Sequence, residues 1–406
     1  MKTVCLAIFD QVNYLSIDLP FPRYLNKFSH YDRDFKGALA YLYAYKDVKM
    51  TYNAYRREIE RLLHWSWQVA KKSIFDLKHA DIEKYIKFCQ NPRPTWIGII
   101  KYPRFIEKRG KRVPNPLWRP FIVTISKTDV RQGKNPEIKN YSLSEKTIQV
   151  IFAVLSSFYN FLIQEGYTEI NSVMQIRQKS KYLQRQQTQP KIRRLSNLQW
   201  SFVIETAQKL AEKDKRHERT LFIMSALYSM YLRISELVVS DRWSPKMNDF
   251  YQDYENNWWF TTVGKGNKQR QIAVSNSMLK ALKRWRHHLG LSLLLPTTDD
   301  QSPLIHKERG TGGITSTNQI RNIVQYCFDQ AIEKMKEEGF KEEAIGLQTV
   351  TVHWLRHTGI SDDVKHRPRE HVRDDAGHSS SQTTDKYIDI DLRERHRSAR
   401  NKAIYK

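Results

Sequence analysis

Apolar residues recur at helical spacing along several stretches of the chain. From Asp34 the pattern turns helical, and Tyr52, Tyr55, Ile59, Leu62 and Leu63 form a stripe behind a candidate cap at Thr51. A shorter stripe runs from Leu77 to Phe88 and stops before Pro92. The strongest is Ile148, Ile151, Phe152, Leu155, Phe158, Tyr159 and Leu162, which begins after a cap candidate, Ser144, and ends at Gly166. A second helical series starts at Ser196, continues from Leu221 to Met230, and returns over 278–289, 317–336 and near Val352. Between these lie two strand-like pieces, Trp258 to Val263 and Gln271 to Val274. The turn Gly264-Lys265-Gly266-Asn267 joins them and predicts a β-hairpin.

Two stretches interrupt the periodicity. Residues 92–140 are broken by Pro92, Pro94, Pro103, Pro114, Pro116, Pro120 and Pro136, and carry Lys101, Arg104, Lys108, Arg109, Lys111, Arg112 and Arg119. The interleaved Trp96, Trp118 and Phe121 are expected to anchor this insertion in its own domain, and the charges to meet DNA phosphates. Residues 177–194 are basic, rich in glutamine and free of acidic side chains, the composition of an exposed linker. The expected organisation is an arm or accessory segment at 1–34, a helical domain at 35–176 with the insertion at about 92–140, a basic linker at 177–195, and a second domain at 196–406.

Charge narrows the partner. Sixty-eight Lys and Arg against 43 Asp and Glu leave +25, spread along the chain, as in a protein that grips nucleic acid with several surfaces. Candidates for DNA contact are Arg56, Arg57, Arg61, Lys108, Arg109, Lys111, Arg112, Arg193, Arg194, Lys268 and Arg270. The three cysteines form no CxxC pair, which argues against a disulfide framework or structural zinc and fits a reducing compartment. The apolar run Val4 to Phe9 is too short for a signal segment or a membrane span, so a soluble, cytoplasmic protein without a membrane partner is expected.

The candidate chemistry concentrates near the C-terminus. In His353-x-x-Arg356, helical spacing puts imidazole and guanidinium on one face. Gly377-His378-Ser379-Ser380 supplies a second imidazole, and Tyr387 follows a run of small hydroxyl residues. Cation, imidazoles and phenol together suit a phosphate diester: arginine grips phosphate oxygens with a bidentate fork, and tyrosine can form a covalent intermediate. Upstream, Arg233 stands at a turn with Glu236 available to orient it, and Lys265 sits on the hairpin. A zinc site from His353 and His357 with His366, His371 or His378 lacks a supporting cysteine or an HExxH glutamate. No metal or cofactor is expected, and no GxxxxGK[ST] motif occurs.

Five motifs in one order carry a family resemblance: Leu232-Arg233-Ile234-Ser235-Glu236-Leu237, Gly264-Lys265-Gly266-Asn267-Lys268, His353-x-x-Arg356-His357-Thr358, Gly377-His378-Ser379-Ser380, and Tyr387. The chain resembles the tyrosine recombinases, or phage-type integrases, including the chromosome-dimer resolving recombinases of bacteria. The resemblance is specific over about 196–390 and looser over 35–175. It implies a mainly α fold: a helical, SAM-like core-binding domain, then an α+β catalytic domain with a small β-hairpin or sheet. It implies a site-specific recombinase acting in integration, excision or transposition of a mobile element. The alternatives are a type IB topoisomerase-like nicking-closing enzyme and a catalytically silent DNA-binding relative.

By the same resemblance Tyr387 attacks the scissile phosphate, Arg233 and Arg356 hold its oxygens, and His353 is the general base. His378 donates a hydrogen bond to the phosphate, and Lys265 protonates the leaving 5′ oxygen. Such help is needed, because ionising a free tyrosine at neutral pH costs roughly 4 kcal/mol. The implied partners are double-stranded DNA, three further copies in a homotetramer on two DNA sites, and accessory recombination proteins, in a bacterial cytoplasm. The segment Leu392 to Lys406 is expected to dock on a neighbour or contact DNA. Three features depart from the family: Tyr231 where small residues are usual, a polar connection from Ser361 to Ala376, and an expected insertion between Asp299 and Thr315.

Overall fold

The apolar stripes collect into two hydrophobic cores, and the chain divides with them into Met1–Gln187 and Thr188–Lys406. The computed structural model describes residues 5–25, 30–174, 193–264, 266–292 and 296–378, with 380, 384 and 400.

In the first unit, α1 (His30–Tyr43), α2 (Lys49–Trp65) and α3 (His79–Gln90) bury Phe35, Leu39, Ile59, Leu62, Leu63 and Ile82. Helix α2 starts ahead of the expected cap, since Thr51 lies in its first turn and Val48 precedes it. Buried Asp34 links three segments, accepting from Trp67 Nε1 at 2.7 Å, Ser73 Oγ at 2.5 Å and the Ile74 N–H at 3.2 Å. Part of the stretch expected as an N-terminal arm or accessory segment packs into this core. Cys5, Ala7, Ile8 and Phe9 belong to the core, with Phe9 stacked on Phe35 at 5.2 Å.

The proline-broken insertion folds around its aromatics, as expected. Trp96, Trp118 and Phe121 are buried. Strand β1 (Ile97–Gly98) pairs parallel with β4 (Phe121–Ile122), and β2 (Phe105–Lys108) pairs antiparallel with β3 (Lys111–Pro114). A short helix, α4 (Lys127–Arg131), follows. Helix α5 (Glu145–Gln164) is capped by Ser144 Oγ, which accepts the Thr147 N–H at 3.3 Å, and is followed by Gly166 at φ 72°. By length and composition α5 could cross a membrane, but its stripe from Ile148 to Leu162 closes the first core.

In the second unit, Ser196 and Gln199 form a capping box for α6 (Asn197–Lys213), and α7 (Glu218–Ser229) packs against it. An antiparallel sheet follows in the order β5 (Phe250–Gln252), β6 (Trp258–Val263), β7 (Gln269–Ala273). Then come α8 (Asn276–His288), α9 (Thr317–Glu337), α10 (Lys341–Gln348), α11 (His353–Asp363) and α12 (Arg369–Ala376). The stretch expected as an insertion near 299–315 is part of this core: Leu304, Ile305 and Ile314 are buried, and the Val239 N–H donates to the Ile314 carbonyl at 2.7 Å. Helix α11 meets the end of α7 at backbone contact, where a Cβ on Gly359 would lie 2.0 Å from the Tyr228 carbonyl oxygen.

Candidate active site

The end of α7 sets the first functional group. Tyr231 and Leu232 are buried, and Arg233 is extended before the single turn Ile234–Glu236. That turn folds Glu236 back onto Arg233, so its carboxylate accepts the Arg233 N–H at 2.8 Å and Nη1 at 3.0 Å. The Glu236 side chain is 1% exposed, whereas that of Arg233 is 27% exposed.

Glu236 has a second partner that corrects an expectation. Arg270 does not face outward to DNA: it donates to both Glu236 oxygens at 2.8 Å, and its Nε donates to the Asp375 carbonyl at 2.9 Å. Strand alternation carried this signal, because Arg270 shares a face with buried Ile272 and sits opposite buried Thr262. Burial raises the Glu236 pKa, but the hydrogen bonds and charge of Arg270, with Arg233, outweigh it and hold the carboxylate below its ordinary value. Gly264 closes over the cluster. A Cβ there would lie 2.9 Å from Arg270 Nη1, 3.1 Å from Glu236 Oε1 and 3.4 Å from Arg233 Nη1.

Helix α11 brings in His353 and Arg356. Arg356 is buried, and its guanidinium donates from Nη1 to the Tyr231 carbonyl and from Nη2 to the Ala376 carbonyl at 2.5 Å. The carbonyls of Asp375 and Ala376 thus hold Arg270 and Arg356 side by side. They are available because they belong to the last turn of α12, whose carbonyls lack helical donors. Gly377, at φ 62°, stops that helix, with the His378 N–H bonded to the Arg373 carbonyl at 3.1 Å. Glycine is needed there twice over, since a Cβ would also lie 2.7 Å from Arg270 Cδ.

His378 emerges from this stop with Nδ1 2.9 Å from Thr384 Oγ1 and Nε2 3.4 Å from Arg356 Nη2. Burial, reinforced by Arg356, Arg233 and Arg270, pushes its pKa down to about 4. His353 is exposed, yet desolvation and the charges of Arg356 and Arg233 lower its pKa as well. Its ring meets His357 edge-on at 4.4 Å, and burial drives His357 down to about 3. All three imidazoles are therefore neutral at pH 7.

Two of the three expected family departures form one network. The Tyr231 hydroxyl donates to Asp363 and accepts from Arg367 Nη1 at 2.9 Å. Arg367 Nη2 donates to Asp375 Oδ2 at 2.6 Å, and Asp375 Oδ1 accepts the Ala273 N–H at 3.2 Å. Hydrogen bonds and ion pairs thus rim an apolar cluster in which Tyr231 packs with Ile360, Val372 and Ala376. Sequence reasoning gave Asp375 and Arg367 no role, because both lie in a connection read only as polar.

Other predicted residues divide sharply. Lys265 and Tyr387 lie outside the described residues, as do most of the linker and all of 392–406 except Arg400. Lys108, Arg109, Lys111, Arg193 and Lys268 are exposed. Arg193 also acts on the His357 charge, and Arg194 is partly exposed. Arg57 is half exposed and pairs with Glu58 at 2.5 Å. Arg56 and Arg61 are buried and not available for DNA: Arg56 donates to the Asp10 carbonyl and to Asn53 Oδ1 at 2.8 Å, and Arg61 donates to the Pro120 carbonyl at 2.9 Å. Arg112 is bound to Asp10 by two hydrogen bonds of 2.8 and 2.6 Å. Among the described residues, no group of three His, Cys, Asp or Glu side chains is placed to hold a metal ion.

Comparison with known proteins matches this arrangement to one family. Residues 193–394 match the phage integrase family. The tyrosine recombinase XerC of Alcanivorax borkumensis is 29% identical over 182 residues, 44% of this chain and 50% of that protein. The chain thus spans half the length of that relative. The tyrosine recombinase XerC of Histophilus somni is 22% identical over 328 residues, 77% of this chain and 94% of that protein. Among solved structures, the XerH site-specific recombinase bound to palindromic difH substrate shares the fold, with a TM-score of 0.54 at 14% identity, covering 96% of this chain and 92% of that one. The Tn1549 transposon integrase in complex with transposon right end DNA aligns with a TM-score of 0.51 at 16% identity, over 90% of this chain and 98% of that one. Residues 193–394, and with them the candidate active site, belong to the phage integrase family, the tyrosine recombinases.

Proposed function

We propose that this recombinase cuts and rejoins double-stranded DNA through a 3′-phosphotyrosyl intermediate on Tyr387, and that its sites bound a mobile element which it integrates or excises. The observation that carries this reading is the convergence of Arg233, of His353 and Arg356 on one helix, and of His378 from three places in the chain: Arg233 and Arg356 both act on the two imidazoles, and Arg356 Nη2 lies 3.4 Å from His378 Nε2. The Tyr387 oxygen attacks phosphorus, the phosphorus–O5′ bond breaks, and the reverse attack by a 5′-hydroxyl restores the strand. His353, neutral at pH 7, takes the phenolic proton, and Lys265 gives one to the departing 5′ oxygen. Arg233 and Arg356 stabilise the charge that builds on the non-bridging oxygens. His378 donates a hydrogen bond to the phosphate from Nε2 once the phosphate takes the place of that nitrogen's contact with Arg356 Nη2, and the Nδ1 contact with Thr384 Oγ1 then runs from the hydroxyl to the ring.

Strand exchange joins two sites, so the working assembly is a homotetramer on two DNA sites, helped by accessory recombination proteins. The test uses a nicked duplex that traps the covalent intermediate. Wild-type protein is expected to migrate as a DNA adduct on a denaturing gel, and Tyr387→Phe to give none. An adduct that persists in the variant would remove Tyr387 from the role. Sequencing the DNA junctions that appear with the active protein distinguishes integration and excision of an element from resolution of chromosome dimers.

A further inference from the structure

The hairpin β2–β3 sorts its basic residues into two groups. At the root they are occupied: Arg104 pairs with Glu60 and lies over the Trp118 ring at 4.6 Å, and Arg112 holds Asp10 and lies over the Tyr14 ring at 4.8 Å. The Asn115 N–H closes the base on the Arg104 carbonyl at 2.8 Å. At the tip, Lys108, Arg109 and Lys111 are exposed, and no ion pair holds them among the described residues.

The tip is arranged against its own stability. The register sets Lys108 directly opposite Lys111, and like charges facing each other across a ladder repel. Between them Arg109 takes φ 53°, a left-handed conformation that favours glycine or asparagine, followed by Gly110 at φ 70°. Three cations are thus concentrated on a turn that folding alone would furnish differently. A polyanion neutralises the repulsion, and an anchored root spares the cost of ordering the ribbon on binding. A two-stranded ribbon fits the major groove of duplex DNA.

We infer that the hairpin 105–114 is a preformed DNA probe: it enters a groove of the duplex and sets Lys108, Arg109 and Lys111 on backbone phosphates. This rests on the reading of the chain as a DNA recombinase and adds a contact in the first unit, apart from the phosphate-cutting site.

The test replaces the tip with residues suited to the same backbone: Lys108→Thr and Lys111→Thr, which pair well across strands, and Arg109→Asn, which accepts positive φ. Binding to the duplex site is measured between 50 and 200 mM salt. The slope of log affinity against log salt should fall by about 0.9 for each phosphate that is no longer neutralised, and affinity at 0.15 M salt roughly five-fold per phosphate. The melting temperature should hold or rise, because a repulsion has been removed. The single variant Arg109→Asn should reduce the slope by about 0.9. Wild-type affinity and slope in both variants would overturn the proposal, and so would an equal loss on single-stranded DNA. Wild-type protein is assayed alongside for DNA binding and the Tyr387 adduct. If it does both while the variants match it, only the hairpin proposal fails; if it does neither, the recombinase reading fails first.

Discussion

Glu58 in the first unit and Glu236 in the second are built alike. Each is a buried carboxylate three residues from an arginine, and each serves two guanidiniums: Arg57 and Arg61 for Glu58, Arg233 and Arg270 for Glu236. What lies above them differs. The ring of Phe121 covers Arg61 at 4.5 Å, and the Pro120 carbonyl takes one of its donors. Over Arg233 stands Gly264, with no side chain, and the arginine remains open to solvent. Neither cluster is fully sealed, since the Arg57 side chain is 46% exposed and that of Arg233 27%. Burying a carboxylate with its arginines does not itself make a site, and neither does an exposed guanidinium; Arg233 differs from Arg57 in acting, with Arg356, on His353 and His378.

The largest separation should come from truncating the two arginines. Arg233→Ala is expected to slow single-turnover cleavage roughly 10²–10³-fold with the fold intact, as removal of a preorganised donor to developing charge does. Arg61→Ala should strip buried Glu58 of the buried one of its two partners and lower stability by about 3–5 kcal/mol in urea denaturation. Cleavage loss from Arg61→Ala in fully folded protein would break the comparison.

A smaller effect tests the uncovered position. Gly264→Ala places a methyl against Arg270 and Glu236, so it should cost about 1–3 kcal/mol of stability. Because the same methyl crowds Arg233, cleavage should fall too, by roughly ten-fold if the displacement costs about 1.4 kcal/mol in the transition state. An unchanged cleavage rate would mean that Gly264 serves packing alone.

The smallest effect is shared by both units. Burial holds His64 down at about 4 in the first unit, and His357 and His378 at about 3 and 4 in the second. Each folded pKa lies below the unfolded value near 6.5, so the unfolded chain binds more protons at lower pH. Stability should be full above about pH 6.5 and decline as pH falls towards about 4. The depressed His353 keeps the base neutral, so the acid limb of the cleavage profile should lie below its ordinary 6.5. Melting temperatures that rise on mild acidification would contradict the buried neutral histidines.

Local features were legible in the sequence, and so was the order of the site motifs. The Ser144 cap, the stripe to Leu162 and the Gly166 stop are set within one helix, and the hairpin at 258–273 by alternation around its turn. Arg56 was misread although the signal was present: Tyr52, Arg56, Ile59 and Leu63 fall on one helical line, so the arginine sits on the stripe and not beside it. Arg61 had no such local signal, because its cover comes from Phe121 in a distant, proline-broken segment. Helix α12 escaped notice because only Val372, Asp375 and Ala376 on it are buried, too few to make a period. Its place depends on Arg367 and Arg270 reaching it through space.

The carbonyls of Asp375 and Ala376 have a consequence for synthesis. A chain emerging from the ribosome exposes Arg233, Glu236 and Arg270 well before these two groups. Until they arrive, Arg270 lacks one of its anchors, Arg356 lacks the support of Ala376, and His378 has not been made. A truncated or still-growing polypeptide therefore carries the basic surface without the finished grip on phosphate. The cluster of Arg270, Arg356 and His378 is completed only once the stretch 375–378 has been made.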